Sequence, residues 1–430
     1  MSGNPEPVDV SVYDRLRRSD EQLLAWLADG SHPREVASVV GDAEYELLAP
    51  LARAASAAPR DHSTRVLLLP GIMGSLLGRL RATPWPADLI WIDPVDVMNG
   101  RLFELRLPES RPMVALGTIP YTYFSLKLRL EALGLPVTLY NYDWRLDIAS
   151  QGRELALHIA QMHESRIHLV AHSMGGLVAR AALHHRNDDR VRRVVTLGTP
   201  HAGTFAPVQA LRATYPTVRR LAALDRLHDA EQLASQVFST FPSLYDMLPQ
   251  PGALTPLSLH APATWPGSGP QPDPRLLASA RRFSSRLAVA DARFHCIAGV
   301  GTRTVTALRI ADEDCIYRID SMGDGTVPLE SALLGDSAHY YSQSEHSELP
   351  RSAEVAESVA ELLRHGATHG LATTAPVAIA DGVEVSDREL RATYVDKVDW
   401  RQLSARQRAL YLNQLNLAPP QYAARKLTPP

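Results

Sequence analysis

A serine, an aspartate and a histidine lie in sequence contexts that can form a proton-transfer chain. Ser173 occurs in HLVAHSMGG, Asp324 lies between two glycines in SMGDGTVP, and His346 occurs in YYSQSEHSELP. A serine hydroxyl is a poor nucleophile near neutral pH, so it needs a base to take its proton and an acid to orient that base. The residue types and their order therefore predict acyl transfer through a covalent acyl-serine, with Ser173, His346 and Asp324 as nucleophile, base and acid.

The setting of Ser173 is typical of a nucleophile elbow. A short apolar run precedes the serine and a helical pattern follows it directly. Such a turn is so tight that the residues two before and two after the serine must be small, and here they are Ala171 and Gly175. The alternative is a serine that only caps the helix of a strand-to-helix crossover. The presence of a candidate acid and a candidate base favours the catalytic role of Ser173 over the capping role. Taken alone, Asp324 could be an ordinary turn residue and His346 a solvated loop residue.

Other titratable residues compete for these roles. Asp320 is the reserve acid, and His172 adjoins the nucleophile but is predicted to point away from it, as a packing residue. His201, in GTPHAG beyond a core strand, is a candidate for lining the substrate pocket.

The tetrahedral intermediate of acyl transfer needs two fixed N–H donors for its oxyanion. One is predicted to be the backbone N–H of Met174 at the start of the helix, where the helix dipole helps. The other is expected from PGIMGS, residues 70–75, whose glycines let the backbone approach the substrate. The N–H of Ile72 is preferred there, and Met73 is the reserve donor and a pocket candidate. The alternative is a plain Pro-Gly turn.

Strands that alternate with helices must position these loops. Wholly apolar runs, typical of strands buried on both faces, alternate with helical patterns, and they are RVLLLPG, VTLYNY, RIHLVA, RRVVTLG and RFHCIAG. This alternation predicts an α/β fold with a mostly parallel sheet and helices on both faces. A hairpin is predicted over 307–320, and a last core helix ends at Gly366.

The remaining segments flank or interrupt this core. Residues 1–62 are predicted as a helical flank, with a separate adaptor module as the alternative. The core comprises 63–201 and 291–370. Residues 202–290 form a helical cap insertion, and 371–430 form a helical extension with a proline-rich tail.

Composition excludes several functional classes. The 430 residues include 45% hydrophobic and 21% charged residues, and the formal net charge is −3. With no long basic run, nucleic acid is not predicted as a partner. The cysteines, Cys296 and Cys315, suit neither a disulfide framework nor a zinc site, so neither a metal nor an organic cofactor is expected. The absence of a signal-like N-terminus and of an apolar spanning run predicts a cytoplasmic protein.

With these residues in place, the chain resembles the lecithin:cholesterol acyltransferase family of α/β-hydrolases, which includes lysosomal phospholipases and phospholipid:diacylglycerol acyltransferases. The similar segments lie within residues 65–365, and they are LLLPGIMGS, LYNYDWR, HLVAHSMGG, TLGTPHAG, FPSLYDMLP, GDGTVP and EHSELP. The resemblance implies the same triad and oxyanion donors, and a cap that shapes a lipid pocket. The cap region lacks the cysteines that form disulfides in secreted members.

Function is therefore predicted as hydrolysis or O-acyl transfer of lipid-type esters. A short-chain carboxylesterase or thioesterase is the alternative within the enzyme class. An inactive hydrolase fold that docks a protein through its terminal helices is the alternative outside it. Transient contact with a membrane or lipid surface is left open.

Overall fold

The computed structural model describes residues 12–377, 382–392, 397–404, 407–408, 411–412 and 415. Its strands are β1 Thr64–Leu69, β2 Ser75–Arg79, β3 Asp88–Trp91, β4 Val114–Thr118, β5 Val137–Leu139, β6 Arg166–His172, β7 Val191–Leu197, β8 Phe294–Gly299, β9 Thr304–Ala311, β10 Asp314–Asp320, β11 Ala338–Ser342 and β12 Val383–Ser386. Its α-helices are α1 Val12–Leu16, α2 Asp20–Asp29, α3 Pro33–Val40, α4 Asp42–Ala57, α5 Pro94–Met98, α6 Pro120–Ala132, α7 Ile148–Gln161, α8 Met174–His185, α9 Ala206–Leu211, α10 Pro216–Leu224, α11 Ala230–Gln236, α12 Pro242–Asp246, α13 Pro274–Ala280, α14 Leu329–Ala332, α15 Ala353–His365 and α16 Asp387–Ala392.

A parallel sheet forms the centre of the fold. Its six strands run in the order β11-β8-β7-β6-β1-β5, and every neighbouring pair is parallel. In β1, Leu67 and Leu69 pack in the hydrophobic cluster that includes residues of α7 and α8. Val66 and Leu68 pack in the cluster that includes residues of α6 and α15. Both faces are therefore covered by helices, which explains why the strands are continuous apolar runs and confirms the predicted fold class.

Two small antiparallel sheets complete the strands of the described residues. The predicted hairpin is present as β9 and β10, and β12 extends it in the order β12-β10-β9. The other sheet, β3-β2-β4, directly follows the loop after β1. Neither this sheet nor β12 was expected from the sequence.

Helical segments flank the core and interrupt it. Helices α2, α3 and α4 form a hydrophobic cluster with Phe124 and Leu128 of α6. Ser19 caps α2 by accepting a hydrogen bond from the Gln22 N–H. Helices α9 to α13 lie between β7 and β8 and form the insertion. The boundaries of these segments stay predictions.

The C-terminal extension is described in part. Asp387–Ala392 forms a helix within the segment predicted as a helical extension. The part of the predicted helical extension over 404–415 falls largely outside the described residues, and the proline-rich tail falls entirely outside them. No helix within the described ranges is long and apolar enough to cross a membrane.

Candidate active site

Ser173 occupies a strained turn between β6 and α8. Its φ of 54° lies in the left-handed region, and its side chain makes no cap hydrogen bond, so the capping alternative does not describe it. A Cβ on Gly175 would lie 2.7 Å from the carbonyl oxygen of Pro70, and one on Gly176 would lie 2.1 Å from Thr199 Oγ1. Both glycines are therefore required by close packing behind the elbow, although the sequence reasoning had identified only Gly175.

The predicted triad residues lie within hydrogen-bond distance of one another. His346 Nε2 is 2.9 Å from Ser173 Oγ, where it can accept the hydroxyl proton. His346 Nδ1 is 2.7 Å from Asp324 Oδ2, to which it can donate. The distances and the order of these contacts are those of a serine-histidine-aspartate site. The reserve acid, Asp320, lies elsewhere and accepts a hydrogen bond from Thr306 Oγ1 at 2.7 Å.

The carboxylate of Asp324 is held on its other oxygen by the backbone. Oδ1 accepts the N–H groups of Thr326 at 3.0 Å and of Val327 at 2.7 Å. The residue is buried, with 1% of its surface exposed. These bonds fix Oδ2 toward the imidazole, so the carboxylate can hold His346 in the tautomer that leaves Nε2 free to accept a proton.

Two glycines at strand ends make room for the acid and the base. A Cβ on Gly198, which follows β7, would lie 2.8 Å from Asp324 Oδ2 and 3.0 Å from His346 Nδ1. A Cβ on Gly299, the last residue of β8, would lie 2.6 Å from Asp324 Cβ. The sequence reasoning missed both roles. The signal was available, because the runs RRVVTLG and RFHCIAG both end in glycine where a parallel sheet presents its carboxyl edge.

The loop of residues 70–75 lies directly against the nucleophile. A Cβ on Gly71 would lie 2.8 Å from Ser173 Cβ, and Met73 has a φ of 63°. The Gly71 N–H donates to the Tyr123 hydroxyl at 2.8 Å, which leaves Ile72 and Met73 as the candidate donors of this loop. Ile72 and Met73 line the same cavity as Ser173, and Met174 directly follows the nucleophile. Their oxyanion roles stay predictions.

The YDWR segment holds both ends of this loop. Tyr142 donates its hydroxyl to the Pro70 carbonyl at 2.6 Å, and Trp144 donates its indole N–H to the Ser75 carbonyl at 3.0 Å. Arg145, with no exposed side-chain surface, pairs with Asp143 at 2.6 Å. The segment, which the sequence reasoning used only as a mark of resemblance, therefore positions the candidate oxyanion loop.

His172 and Tyr123 connect the oxyanion loop to the base. Because the Tyr123 hydroxyl accepts the Gly71 N–H, its own proton is directed to His172 Nδ1, 3.0 Å away. His172 Nε2 then donates to the backbone carbonyl of His346 at 2.9 Å. Burial, and next the proximity of His346, lower the pKa of His172 well below its ordinary value, which keeps the ring neutral as this bonding requires. Tyr123 was not foreseen.

The cavity above Ser173 has a volume of about 110 Å³ and is lined mainly by apolar side chains. Among them are Met73, whose role in binding substrate stays a prediction, and Leu412 and Leu415 of the C-terminal extension. Arg351 also lines the cavity, but it pairs with Glu44 at 2.9 Å and with Glu348 at 2.8 Å. This cation is therefore neutralised by the chain itself, and the cavity suits an apolar group.

His201 is directed toward other groups. Its Nε2 lies 3.3 Å from Thr196 Oγ1 and 3.6 Å from Cys296 Sγ, and its Nδ1 lies 3.5 Å from Arg180. Burial, followed by the charge of Arg180, lowers the pKa of His201 well below its ordinary value. The partly buried His201 therefore belongs to a polar cluster with the buried Thr196, Cys296 and Arg180. Within the described part of the chain, no group of three or more His, Cys, Asp or Glu side chains could hold a metal ion.

The parallel sheet, the elbow at Ser173 and the helical insertion define an α/β-hydrolase fold. A family profile described as a PGAP1-like alpha/beta domain matches residues 150–239, a segment that contains Ser173 but neither Asp324 nor His346. No curated protein matches the chain at significant similarity. The matching profile is not that of the lecithin:cholesterol acyltransferase family, so that resemblance stays a proposal.

Several solved structures are similar to this chain at low identity. The lipase BlEst2 of Bacillus licheniformis in its propeptide form matches at 15% identity with a TM-score of 0.38, covering 74% of this chain and 54% of the lipase. A chain of the Tle4–Tli4 complex matches at 13% identity with a TM-score of 0.45, and the match covers 70% of this chain and 98% of that one. Lipase 1 from Pelosinus fermentans matches at 12% with a TM-score of 0.35, covering 71% and 99%. The fold assignment rests on the topology and elbow described above.

Proposed function

We propose that this protein is a serine acyl hydrolase that acts on lipid-type esters through a covalent acyl-serine intermediate. The observation that carries the proposal is the continuous hydrogen-bonded chain from Ser173 through His346 to Asp324, which opens into a mainly apolar cavity. Every catalytic group of the proposed reaction belongs to the chain itself, and the co-reactant is water or an alcohol.

The proposed reaction has two half-reactions. Ser173 Oγ attacks the ester carbonyl carbon while His346 Nε2 takes the hydroxyl proton, and the resulting tetrahedral intermediate carries an oxyanion. His346 then gives that proton to the leaving alcohol, and the acyl group remains on Ser173. In the second half-reaction His346 activates water, or a second alcohol, which releases the acyl group. Asp324 stabilises the imidazolium in both.

The oxyanion is assigned to the backbone N–H groups of Ile72 and Met174, with Met73 in reserve. Their support is indirect: Gly71 packs against Ser173, and Tyr142 and Trp144 fix the loop ends. A donor of this kind typically contributes about a hundred- to a thousandfold in rate.

Ser173→Ala tests the nucleophile. The substitution removes only the hydroxyl, so we expect ester turnover and covalent labelling by a fluorophosphonate probe to be lost while the melting temperature stays close to that of the wild type. Intact-mass spectrometry measures the labelling. Undiminished labelling of the variant at another serine would refute the assignment, and a wild-type chain that never labels would favour the inactive scaffold.

A short-chain carboxylesterase is the second candidate, and the size of the cavity favours it. An engineered cavity of about 150 Å³ holds one benzene molecule, and this cavity has a volume of about 110 Å³. A long acyl chain would therefore have to extend beyond it. Rates over a series of nitrophenyl esters and matching thioesters distinguish the candidates, because a sharp preference for short esters would exclude the lipid assignment.

Transfer of the acyl group from Ser173 to an alcohol is also proposed. It is supported by the resemblance to lipid acyltransferases in motifs such as LLLPGIMGS, HLVAHSMGG and GDGTVP. Incubation with a mixed lipid extract, with and without an added alcohol, tests it by mass spectrometry. New esters of the added alcohol indicate transfer, whereas free fatty acid alone in both samples indicates hydrolysis.

A further inference from the structure

The C-terminal extension reaches back to the candidate active site. Leu412 and Leu415 line the same cavity as Ser173 and His346. Leu415 is only 5% exposed, so its side chain is part of the packed interior. The cavity wall formed by Leu412 and Leu415 is called the C-terminal wall below.

Hydrogen bonds hold the C-terminal wall against α10. The carbonyl oxygen of Leu415 accepts from Thr217 Oγ1 at 3.0 Å and from the Arg220 guanidinium at 2.9 Å. The hydroxyl of Tyr411 donates to the Arg220 carbonyl at 2.6 Å. These contacts anchor the Tyr411 side chain and the Leu415 backbone carbonyl, which lie on either side of Leu412, and so hold the C-terminal wall at the cavity.

An earlier part of the extension is attached to the other end of the same helix. Lys397 Nζ donates to the carbonyl oxygens of Ala222 at 2.8 Å and of Asp225 at 2.5 Å. The Val398 N–H donates to the Ala223 carbonyl at 2.8 Å. The extension therefore contacts α10 near both ends of the helix. These contacts hold the C-terminal wall in a fixed position relative to α10.

We propose that Leu412 and Leu415 limit the length of the acyl chain that the cavity accepts. This assignment rests on the proposed function, and it assigns a role to an extension that the triad does not explain. The wall is apolar, and the nearby backbone carbonyl of Leu415 is already satisfied by Thr217 and Arg220. It therefore offers an acyl chain apolar contact, and its bulk takes up space at the edge of a cavity of about 110 Å³ that is small for a lipid chain.

The test compares the full-length wild type with Leu412→Ala, Leu415→Ala and the double variant. The measured quantity is the ratio of kcat/KM for nitrophenyl decanoate to that for nitrophenyl butyrate. Removal of apolar bulk from a substrate pocket changes discrimination by about tenfold or more, so we expect the ratio to rise at least about tenfold in the double variant. Leu412→Phe adds bulk and is expected to lower the ratio.

The control is Leu403→Ala, in the same extension, where a partly buried leucine packs on the core. It should leave the ratio unchanged. Fluorophosphonate labelling of Ser173 shows that each variant keeps a working site. Ratios within about twofold of the wild type in the double variant and in Leu412→Phe would overturn the assignment. It would also be overturned if the variants changed only the preference among esters that share one acyl chain and differ in their alcohol. A wild type without turnover or labelling would instead refute the proposed function.

Discussion

Tyr123→Phe tests whether the hydrogen bonds behind the nucleophile position the site. The Tyr123 side chain is nearly fully buried, with 2% exposed. Its hydroxyl accepts the Gly71 N–H at 2.8 Å and contacts His172 Nδ1 at 3.0 Å. Phenylalanine keeps the ring in place but removes the one atom that joins the oxyanion loop to His172.

The expected cost follows from the two polar groups that lose this partner. An unsatisfied buried donor or acceptor costs about 1–3 kcal/mol, which gives about 2–6 kcal/mol for Gly71 N–H and His172 Nδ1 together. Because Tyr123 lines the cavity, a water molecule can replace its hydroxyl in part, so we expect the free energy of unfolding to fall by about 2–4 kcal/mol. Small displacements of a catalytic group cost up to about a hundredfold in rate, so kcat is expected to fall about ten- to a hundredfold with little change in KM.

The assay combines urea denaturation with ester kinetics, and Tyr340→Phe is the matched control. Tyr340 on β11 is also buried, at 6% exposed, and its hydroxyl has no hydrogen-bond partner in the described part of the chain. The control should keep both stability and kcat. A Tyr123→Phe protein that loses stability but keeps its kcat would refute the positioning role, as would an equal loss of kcat in the control.

Two further predictions concern buried carboxylates. Burial and, next, the neighbouring Asp147 raise the pKa of Asp246 to about 7. Between about pH 4 and 7 the folded chain therefore keeps a proton that the unfolded chain releases. The free energy of unfolding accordingly falls as the pH rises through this range. Asp246→Asn can still accept the Ile148 N–H. It is therefore expected to stabilise the protein by up to about 4 kcal/mol at pH 8 and hardly at all at pH 4. Equal shifts of the melting temperature at both pH values would contradict this. Asp387 accepts hydrogen bonds from Arg212 at 2.7 Å and from Tyr317 at 2.6 Å, and all three residues are fully buried. Asp387→Ala leaves the buried Arg212 cation without its carboxylate, so it should lower the free energy of unfolding by about 3–5 kcal/mol, as measured by urea denaturation. Glu384→Gln, which removes the exposed pair with Arg309 at 2.6 Å, should cost under about 1 kcal/mol, and similar costs for both variants would contradict the argument.

The parallel core could be predicted because burial on both faces leaves a local signal. Val66 and Leu67 pack on opposite faces of the sheet and both are fully buried, so each strand becomes an unbroken apolar run. The predicted strand over 137–142 is longer than β5, which ends at Leu139. The chain departs from the sheet there, and Tyr142 reaches the Pro70 carbonyl. Apolar composition alone could not show that departure.

Other parts of the structure depend on contacts between distant segments and have no local signature. The expectation for His201 followed from its place beyond β7, but its ring hydrogen-bonds toward Thr196 and Cys296. Strand β12 is short and, among the described strands, pairs only with β10. Leu412 reaches the cavity from the far end of the chain. Sequence spacing cannot report contacts such as His201–Cys296 or β12–β10, because they join segments that lie far apart in the chain.

The site therefore combines two kinds of structural support. The acid is fixed close in sequence, because Asp324 accepts the Thr326 and Val327 N–H groups. The nucleophile Ser173 lies on a turn whose glycines pack closely against Pro70 and Thr199. The cavity wall at Leu415 is fixed by α10 and by the extension, outside the triad. Substitutions in that wall can change which acyl group fits while the proton-transfer chain stays intact. Acyl-length preference and reactivity toward a fluorophosphonate should accordingly vary independently, and a leucine substitution that lowers both together would show that the wall also supports the triad.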